Sequence, residues 1–317
     1  MQMREMLCKS LKDLMIDNSN IVVIDADLAK ANTTDKLKSD FPARTFNVGV
    51  AEQNMASIAA GLAAYGFVPF ILSFAPFVTR RICDQIAISI AYSCQNVKII
   101  GTDPGVCAEL NGGSHMSFED IAVIRSIPGF TICEPADLIE LRQMLLQIAT
   151  HCGPVYLRLP RKEVFEIHKE DYRFNLFKAE IIEVGSDVTL IAGGIMLKEA
   201  LIAAKELREN HKINSEVINL HTILPVDEET ILKSVKKTGC VVTCENHNII
   251  GGIGSCVAEV LSAKFPVPIG FVGVNNRFGE VGRLEELKQK LGLTSDVIVE
   301  QALKVVAHKS TSAEPKI

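Results

Sequence analysis

One carboxyl group in this sequence lies where an isolated acid is costly. Glu52 belongs to the stretch 47–55, which reads Asn-Val-Gly-Val-Ala-Glu-Gln-Asn-Met, and it precedes a predicted helix of small residues at 56–65. An unpaired charge among apolar neighbours is unfavourable unless something compensates it. Two interpretations stay open here. The acid either interacts with the positive end of the helix dipole, or it is held ready to bond a ring nitrogen of a bound cofactor.

Two further features could take part in chemistry. A glycine-rich irregular loop predicted at 103–117 contains His115, and loops of this length in compact domains are often functional. An exposed histidine without a role is an equal alternative. Phe74 and Phe77 lie three residues apart at the start of a predicted helix, a spacing that is more typical of core packing than of a cofactor wall.

The common nucleotide, phosphate and metal motifs are missing from the sequence. The turn Gly251-Gly-Ile-Gly does not fit G-x-G-x-x-G, because Val257 stands where the third glycine belongs. There is no phosphate-binding loop, no G-x-S-x-G motif and no histidine spacing typical of a metal site. Cys240 and Cys244 have no second ligand pair at zinc spacing. The chain therefore has no recognisable phosphate cradle of its own.

Composition narrows the class of protein. The chain has 317 residues, 48% of them hydrophobic, and a formal net charge of −5, which disfavours nucleic acid and anionic membrane surfaces as partners. No apolar run reaches the roughly 18 residues that a membrane span requires. The nine cysteines are scattered through apolar segments, as expected of reduced core residues. With no signal-type start, these features predict a cytoplasmic protein.

Alternating strands and helices must position these candidates. The run Ile21-Val-Val-Ile-Asp-Ala is typical of a strand buried on both faces, and it places Asp27 near the strand's carboxyl end, where open α/β sheets bind ligands. Other strands are predicted at 45–50, 68–72, 97–102, 131–133, 154–159, 188–192, 216–220, 241–245 and 270–274. The pattern predicts two doubly wound α/β domains, at 1–165 and 177–317, joined by a charged linker at 166–176.

Several motifs together resemble transketolase and its relative 1-deoxyxylulose-5-phosphate synthase. Besides the stretch around Glu52, they are Tyr65-Gly-Phe-Val-Pro-Phe-Ile-Leu-Ser-Phe-Ala-Pro-Phe, Gly112-Gly-Ser-His-Met, Arg125-Ser-Ile-Pro-Gly-Phe, Glu134-Pro-Ala-Asp, Asn219-Leu-His-Thr-Ile-Leu-Pro-Val-Asp and Glu245-Asn-His-Asn-Ile-Ile-Gly-Gly-Ile-Gly-Ser. The resemblance covers nearly the whole chain. It implies a pyrimidine-binding fold followed by a smaller transketolase carboxyl-terminal domain.

The same resemblance implies an incomplete enzyme. Transketolases carry a preceding domain that holds the diphosphate of thiamine diphosphate and a divalent metal, and this sequence lacks that domain's motifs. The chain therefore resembles the carboxyl-terminal subunit of a split transketolase, with Mg²⁺ (or Ca²⁺ or Mn²⁺) held mainly by a separate amino-terminal subunit. A dimer of this chain, extended to a heterotetramer with that partner, is expected. The implied reaction moves a two-carbon ketol unit from a ketose phosphate to an aldose phosphate. The alternative is a subunit like deoxyxylulose-phosphate synthase or the 2-oxo acid dehydrogenase beta chain.

The resemblance also implies roles in binding the cofactor. Glu52 matches the glutamate that bonds the pyrimidine ring, and an apolar setting shaped by Val50 would favour its protonated form. Phe74 and Phe77 match the aromatic wall beside the pyrimidine, which reverses the core interpretation given above. Arg80 stands where transketolases have a third aromatic residue.

A second set of residues is implied at the substrate. His115 matches a histidine near the reacting carbons, Arg158 matches an arginine that binds substrate phosphate, and Asp27 lies where another sugar or phosphate contact is made. The sequence departs from the family at Thr102, where transketolases have a histidine, and at Asn111, near a family aspartate. These departures predict different recognition of the far end of the sugar, so a branched or unusual ketose phosphate is expected as a substrate in place of the usual pentose phosphates.

Overall fold

The computed structural model describes residues 1–312, and these form two compact units. The first unit contains Met1–Leu176 together with the short segment Phe278–Val281. The second contains Phe177–Arg277 and the chain from Gly282 onward. Residues 313–317 of the second predicted domain lie outside the described part of the chain. Within residues 1–312, no helix combines the length and the apolar character needed to cross a membrane.

A parallel sheet lies at the centre of the first unit. Its strands are β1 (Ile21–Asp25), β2 (Thr45–Asn47), β3 (Val68–Phe74), β4 (Lys98–Thr102), β5 (Thr131–Cys133) and β6 (Val155–Leu159). They lie side by side in the order β5-β6-β4-β3-β1-β2, and every pairing among them is parallel. Every residue of β1, β4 and β6 is buried, as their continuous apolar runs predict. Parallel pairing brings all the carboxyl ends to one edge.

Helices cover this sheet. They are α1 (Met3–Asp17), α2 (Ala29–Asn32), α3 (Leu37–Asp40), α4 (Glu52–Ala64), α5 (Asp120–Arg125) and α6 (Leu138–Thr150), with a π-helix at Gln85–Tyr92. Short 3-10 turns lie at Thr34–Lys36, Arg80–Ile82 and Gly105–Asn111. Residues of α1 and α6, among them Leu7, Leu11 and Met144, pack with residues of β1, β3 and β6 in one buried cluster. Helix α4 packs against β3.

The second unit contains a smaller mixed sheet. Its elements are β7 (Glu180–Glu183), β8 (Val188–Ala192), α7 (Met196–His211), β9 (Ser215–Asn219), β10 (Thr222–Leu224), α8 (Glu228–Thr238), β11 (Val241–Asn248), α9 (Ile253–Lys264), β12 (Ile269–Val274), α10 (Leu284–Leu291) and α11 (Ser295–Ser312). Five strands lie in the order β12-β11-β8-β9-β7, and only β7 within this sheet runs antiparallel to its neighbour. The predicted fold class, two α/β domains, is confirmed.

The segment 166–176, predicted as the linker between the two domains, packs on the first unit. Its residues Phe174 and Leu176 are buried in the core cluster. Side-chain amides of α6 bind its backbone: Gln143 Oε1 accepts from the Phe174 N–H at 2.9 Å, and Gln147 Oε1 accepts from the Leu176 N–H at 2.9 Å. These glutamine contacts satisfy an irregular backbone, so the segment is ordered without any periodic pattern.

The helix predicted from residue 74 is wrong in its first part. Phe74 is the last residue of β3, and a turn containing Phe77 follows before the 3-10 turn at Arg80–Ile82. The Phe74 carbonyl accepts from the N–H groups of Phe77, at 2.8 Å, and Val78, at 3.1 Å. The two rings therefore lie at a strand end, where the sheet edge presents them, and not on a helix face.

Candidate active site

Glu52 is the first residue of α4, and it is 3% exposed. It is not alone, because Arg81 Nη1 donates a hydrogen bond to its Oε1 at 2.7 Å. The expectation of an unpaired acid in an apolar setting is therefore wrong. Val50 is 76% exposed, so it does not form an apolar floor within this chain, and its predicted cofactor contact stays a prediction. The partner is 29 residues away along the chain, which is why no local pattern revealed it.

Three aromatic rings meet beside this ion pair. The ring centroids of Phe74 and Phe77 are 5.8 Å apart, and the His115 ring lies 5.6 Å from the first and 5.1 Å from the second. All three contacts are edge-to-face, a favoured geometry for aromatic pairs. The guanidinium carbon of Arg81 lies 3.6 Å from the Phe77 centroid. The structure thus brings Glu52, the two phenylalanines and His115 into one cluster.

The loop that carries His115 is fixed by Arg80. Arg80 Nη2 donates to the carbonyl of Ser114 at 3.1 Å, and its Nη1 pairs with Glu119 Oε1 at 2.7 Å. The Ser114 hydroxyl lies 2.9 Å from His115 Nδ1. Within residues 1–312, His115 Nε2 makes no hydrogen bond, so this nitrogen is the one available to a ligand. Arg80 therefore holds the loop in place through these contacts. Its predicted cofactor contact stays a prediction.

The segment Phe278–Val281 packs against the same loop. A Cβ on Gly113 would lie 2.6 Å from the Gly279 carbonyl oxygen, and one on Gly112 would meet Val281 at 3.0 Å. Gly112 also has a positive φ of 72°. Only glycines permit this close approach. Nothing in the sequence connected two segments so far apart.

Arg161 is a site residue that sequence reasoning missed. Its guanidinium carbon lies 4.7 Å from the Phe74 centroid, so it joins the same cluster. Asp103 orients it, with Oδ2 accepting from Arg161 Nε at 2.6 Å and Oδ1 accepting from the Arg161 backbone N–H at 2.9 Å. Burial raises the pKa of Asp103, although Arg161 opposes that effect. Its position just past the carboxyl end of β6 was the available signal, because ligands bind at that edge.

Arg158, in contrast, does not reach the site. It is wholly buried, where Nε donates to Asp120 Oδ2 at 2.8 Å and Nη1 donates to Glu134 Oε1 at 2.7 Å. The Tyr156 hydroxyl donates to the same Asp120 oxygen at 2.7 Å. Burial alone would lower the pKa of Arg158, but the two carboxylates raise it. The predicted phosphate contact is therefore wrong, because this cation is already neutralised inside the fold.

Thr102 and Asp27 differ in burial. Thr102 is wholly buried, and its hydroxyl lies 3.2 Å from both Asn32 Oδ1 and the Ser73 carbonyl oxygen. A direct substrate contact by Thr102 is therefore not supported. Asp27 is exposed just beyond β1, with a positive φ of 63°, and its backbone N–H donates to Asn47 Oδ1 at 3.1 Å. Its predicted substrate contact stays a prediction.

Two family models match the chain. Residues 1–166 match the family described as transketolase, pyrimidine binding domain, and residues 177–298 match the family described as transketolase, C-terminal domain. Three solved transketolases from Pichia stipitis, at 19–20% identity and a TM-score of 0.80, share the fold. This chain covers 46% of their length.

More similar relatives are themselves subunits or sections. The chain is 49% identical to the 6-deoxy-6-sulfo-D-fructose transketolase subunit SqwH of Clostridium sp. (strain MSTE9), over 94% of both chains. It is 39% identical to a putative transketolase C-terminal section of Methanocaldococcus jannaschii, over 95% of both. A solved structure described as "Split gene transketolase, inactive beta4 tetramer" superposes with a TM-score of 0.89 at 41% identity, covering 98% of this chain and 99% of that one. The chain therefore belongs to the transketolase family, and it contains that family's pyrimidine-binding and C-terminal domains.

Proposed function

We propose that this subunit, joined to a separate amino-terminal subunit, transfers a two-carbon ketol unit from a ketose with an anionic end to an aldose phosphate. The observation that carries the proposal is the cluster in which a buried carboxyl group, two phenylalanine rings and a loop histidine meet. Thiamine diphosphate is the cofactor, and the partner holds its diphosphate and the divalent metal, Mg²⁺ or a substitute such as Ca²⁺ or Mn²⁺. This sequence contains no motif for binding the diphosphate or the metal.

The chemistry of the cluster fits the pyrimidine half of that cofactor. A carboxyl group bonds a ring nitrogen, and an aromatic face stacks on a planar ring. Glu52 would hold the ring nitrogen and control its proton, and Phe74 and Phe77 would line the ring. When bound, thiamine diphosphate supplies a nucleophilic carbon and an electron sink for the two-carbon unit. His115 Nε2 would donate a hydrogen bond to a substrate oxygen, with Nδ1 oriented by Ser114.

Arg161 is proposed to bind the anionic end of the substrate in place of Arg158. Its side chain is 15% exposed and lies against Phe74. Asp103 Oδ2 accepts from both Nε and Nη2, and Nη1 donates to the Ala31 carbonyl at 3.3 Å. A guanidinium binds phosphate and sulfonate oxygens in the same way, through a planar pair of N–H donors. The relative at 49% identity is a 6-deoxy-6-sulfo-D-fructose transketolase subunit. A sulfonated ketose is therefore proposed as a donor beside the phosphorylated ones.

The proposed assembly is a dimer of this chain completed to a heterotetramer by two partner subunits. The structural relative at 41% identity is described as an inactive beta4 tetramer, which supports self-association of this type of subunit. Completion by the partner is the step that creates the full cofactor site. Cytoplasmic location is part of the same proposal.

Reconstitution tests the function. The chain alone is expected to show no ketol transfer, and activity should appear when the amino-terminal subunit, thiamine diphosphate and Mg²⁺ are added. Fructose 6-phosphate and 6-deoxy-6-sulfofructose serve as donors, with an aldose phosphate as acceptor and the new ketose measured by mass spectrometry. Full activity of the isolated chain would refute the split site. Release of carbon dioxide from pyruvate, without ketol transfer, would instead favour the deoxyxylulose-phosphate synthase or 2-oxo acid dehydrogenase alternative.

Replacing Arg161 is expected to weaken the use of anionic ketoses. The double variant Arg161→Gln, Asp103→Asn removes the cation without leaving an unpaired buried carboxylate. Its KM for an anionic donor should rise about 10–100-fold, because a hydrogen bond to a charged group contributes about 1.5–3 kcal/mol. KM for an uncharged short ketose should stay the same. Asp103→Asn alone is the matched control. An equal rise in KM for both donors would contradict the assignment.

A further inference from the structure

Arg81 makes both contacts that a planar ring in this site would make. Its Nη1 donates to Glu52 Oε1 at 2.7 Å, and its guanidinium carbon lies 3.6 Å from the Phe77 centroid. A guanidinium is planar, carries N–H donors in its plane, and stacks on aromatic faces. An aminopyrimidine has the same planar shape with polar groups at its edge. One side chain of the protein therefore stands in the place of a ligand ring.

The side chain of Arg81 can leave, whereas that of Glu52 is buried. The side chain of Glu52 is 4% exposed, but that of Arg81 is 37% exposed. The Arg81 backbone is anchored independently, since its N–H donates to the Pro76 carbonyl at 3.2 Å and its carbonyl accepts from Gln53 Nε2 at 3.4 Å. Rotation of the long side chain alone would return the cation to water. No change in the backbone is required.

We propose that Arg81 is a removable cover on the cofactor site, which holds the Glu52 carboxylate and the Phe77 face until the aminopyrimidine ring of the cofactor displaces it. The inference rests on the proposed function and adds a residue that competes with the cofactor. The pair Glu52–Arg81 keeps a buried carboxylate partnered in the cofactor-free subunit. A subunit that waits for a partner chain thus remains stable before its site is complete.

Such a cover lowers the apparent affinity for the cofactor. When only a fraction of molecules has the site open, the observed Kd is the intrinsic Kd divided by that fraction. A site that Arg81 covers for about nine-tenths of the time would show a Kd about tenfold above the intrinsic one. Removing the cover should therefore tighten binding, which is the opposite of the effect expected for a residue that contacts the bound cofactor.

Calorimetry on the reconstituted complex tests this. The Kd for thiamine diphosphate, measured with Mg²⁺ present, is expected to fall by a factor of about 5–10 in Arg81→Ala. It should fall less in Arg81→Lys, because lysine keeps the charge but lacks the planar donor fork. Arg142→Ala is the matched control, since Arg142 pairs with Glu170 on the surface at 2.9 Å and should leave Kd unchanged.

Thermal unfolding gives a second readout, independent of turnover. Without cofactor, Arg81→Ala should melt below the wild type because Glu52 loses its partner, and saturating thiamine diphosphate should close that gap. A Kd that stays the same or rises in the alanine and lysine variants would overturn the cover. If the alanine variant does not assemble with the partner subunit, the Kd of the lysine variant alone tests the proposal: a lower Kd supports it, and an equal or higher Kd overturns it. Failure of the wild-type complex to bind thiamine diphosphate would refute the proposed function, and the inference with it.

Discussion

Glu52→Gln is expected to lower the turnover number of the reconstituted enzyme by about 10²–10⁴-fold, the usual contribution of a group that controls a proton. Glutamine keeps the size and polarity of the side chain but cannot take up or release a proton. Folding should persist, because the freed cation of Arg81 is 37% exposed and can turn into solvent. Turnover measured at saturating donor and cofactor, with circular dichroism of the variant, checks both parts.

Two further variants show whether the effect at Glu52 depends on its acid group and its position. Glu170→Gln is the control, since Glu170 also pairs with an arginine of the first unit but lies exposed on the surface. Its turnover should equal that of the wild type. Glu52→Asp keeps the acid but shortens its reach, so its turnover should lie between the wild type and the glutamine variant. If Glu52→Gln retains full turnover, the acid serves only the dipole of α4, which was the alternative left open at the outset.

Arg158→Met is expected to destabilise the fold by about 3–5 kcal/mol, the cost of breaking a buried ion pair from one side. Asp120 and Glu134 would be left inside the protein without their cation. The free energy of unfolding from denaturant titration measures the loss. The effect should appear in stability first, whereas an arginine that only binds substrate would change KM and leave unfolding unaltered.

A combined variant separates this mechanism from loss of packing. In Arg158→Met with Asp120→Asn and Glu134→Gln, no buried charge remains unpaired, so most of the lost stability should return. The Tyr156 hydroxyl keeps an oxygen to which it can donate. If the triple variant is as unstable as Arg158→Met alone, the loss comes from volume and not from charge. A stable Arg158→Met with a raised KM would restore the role that the sequence suggested.

The two arginines at the carboxyl end of β6 show where sequence reasoning stops. Arg158 lies within β6 and Arg161 just beyond it, and the motif resemblance pointed to Arg158. The register of the sheet determines which of the two arginines reaches the site. Arg158 faces Gly101 across the β4–β6 pair, inside a sheet buried on both sides. A Cβ at Gly101 would lie 2.5 Å from the Tyr156 hydroxyl and 2.6–2.9 Å from its ring. Three residues later the chain has left the sheet, and its cation reaches the edge where the aromatic rings lie.

By itself, the sequence determined the two α/β domains, the stretch that holds Glu52, the loop histidine and the missing phosphate cradle. Those features are local, because burial periodicity and motif spacing depend on residues a few positions apart. Only the tertiary structure decided which charges are paired. Arg81 meets Glu52 across 29 residues, Arg161 meets Asp103 across 58, and Arg158 meets Asp120 across 38. Such contacts follow from which strand ends lie side by side, and the order of strands in a sheet is not written in the spacing of residues along the chain.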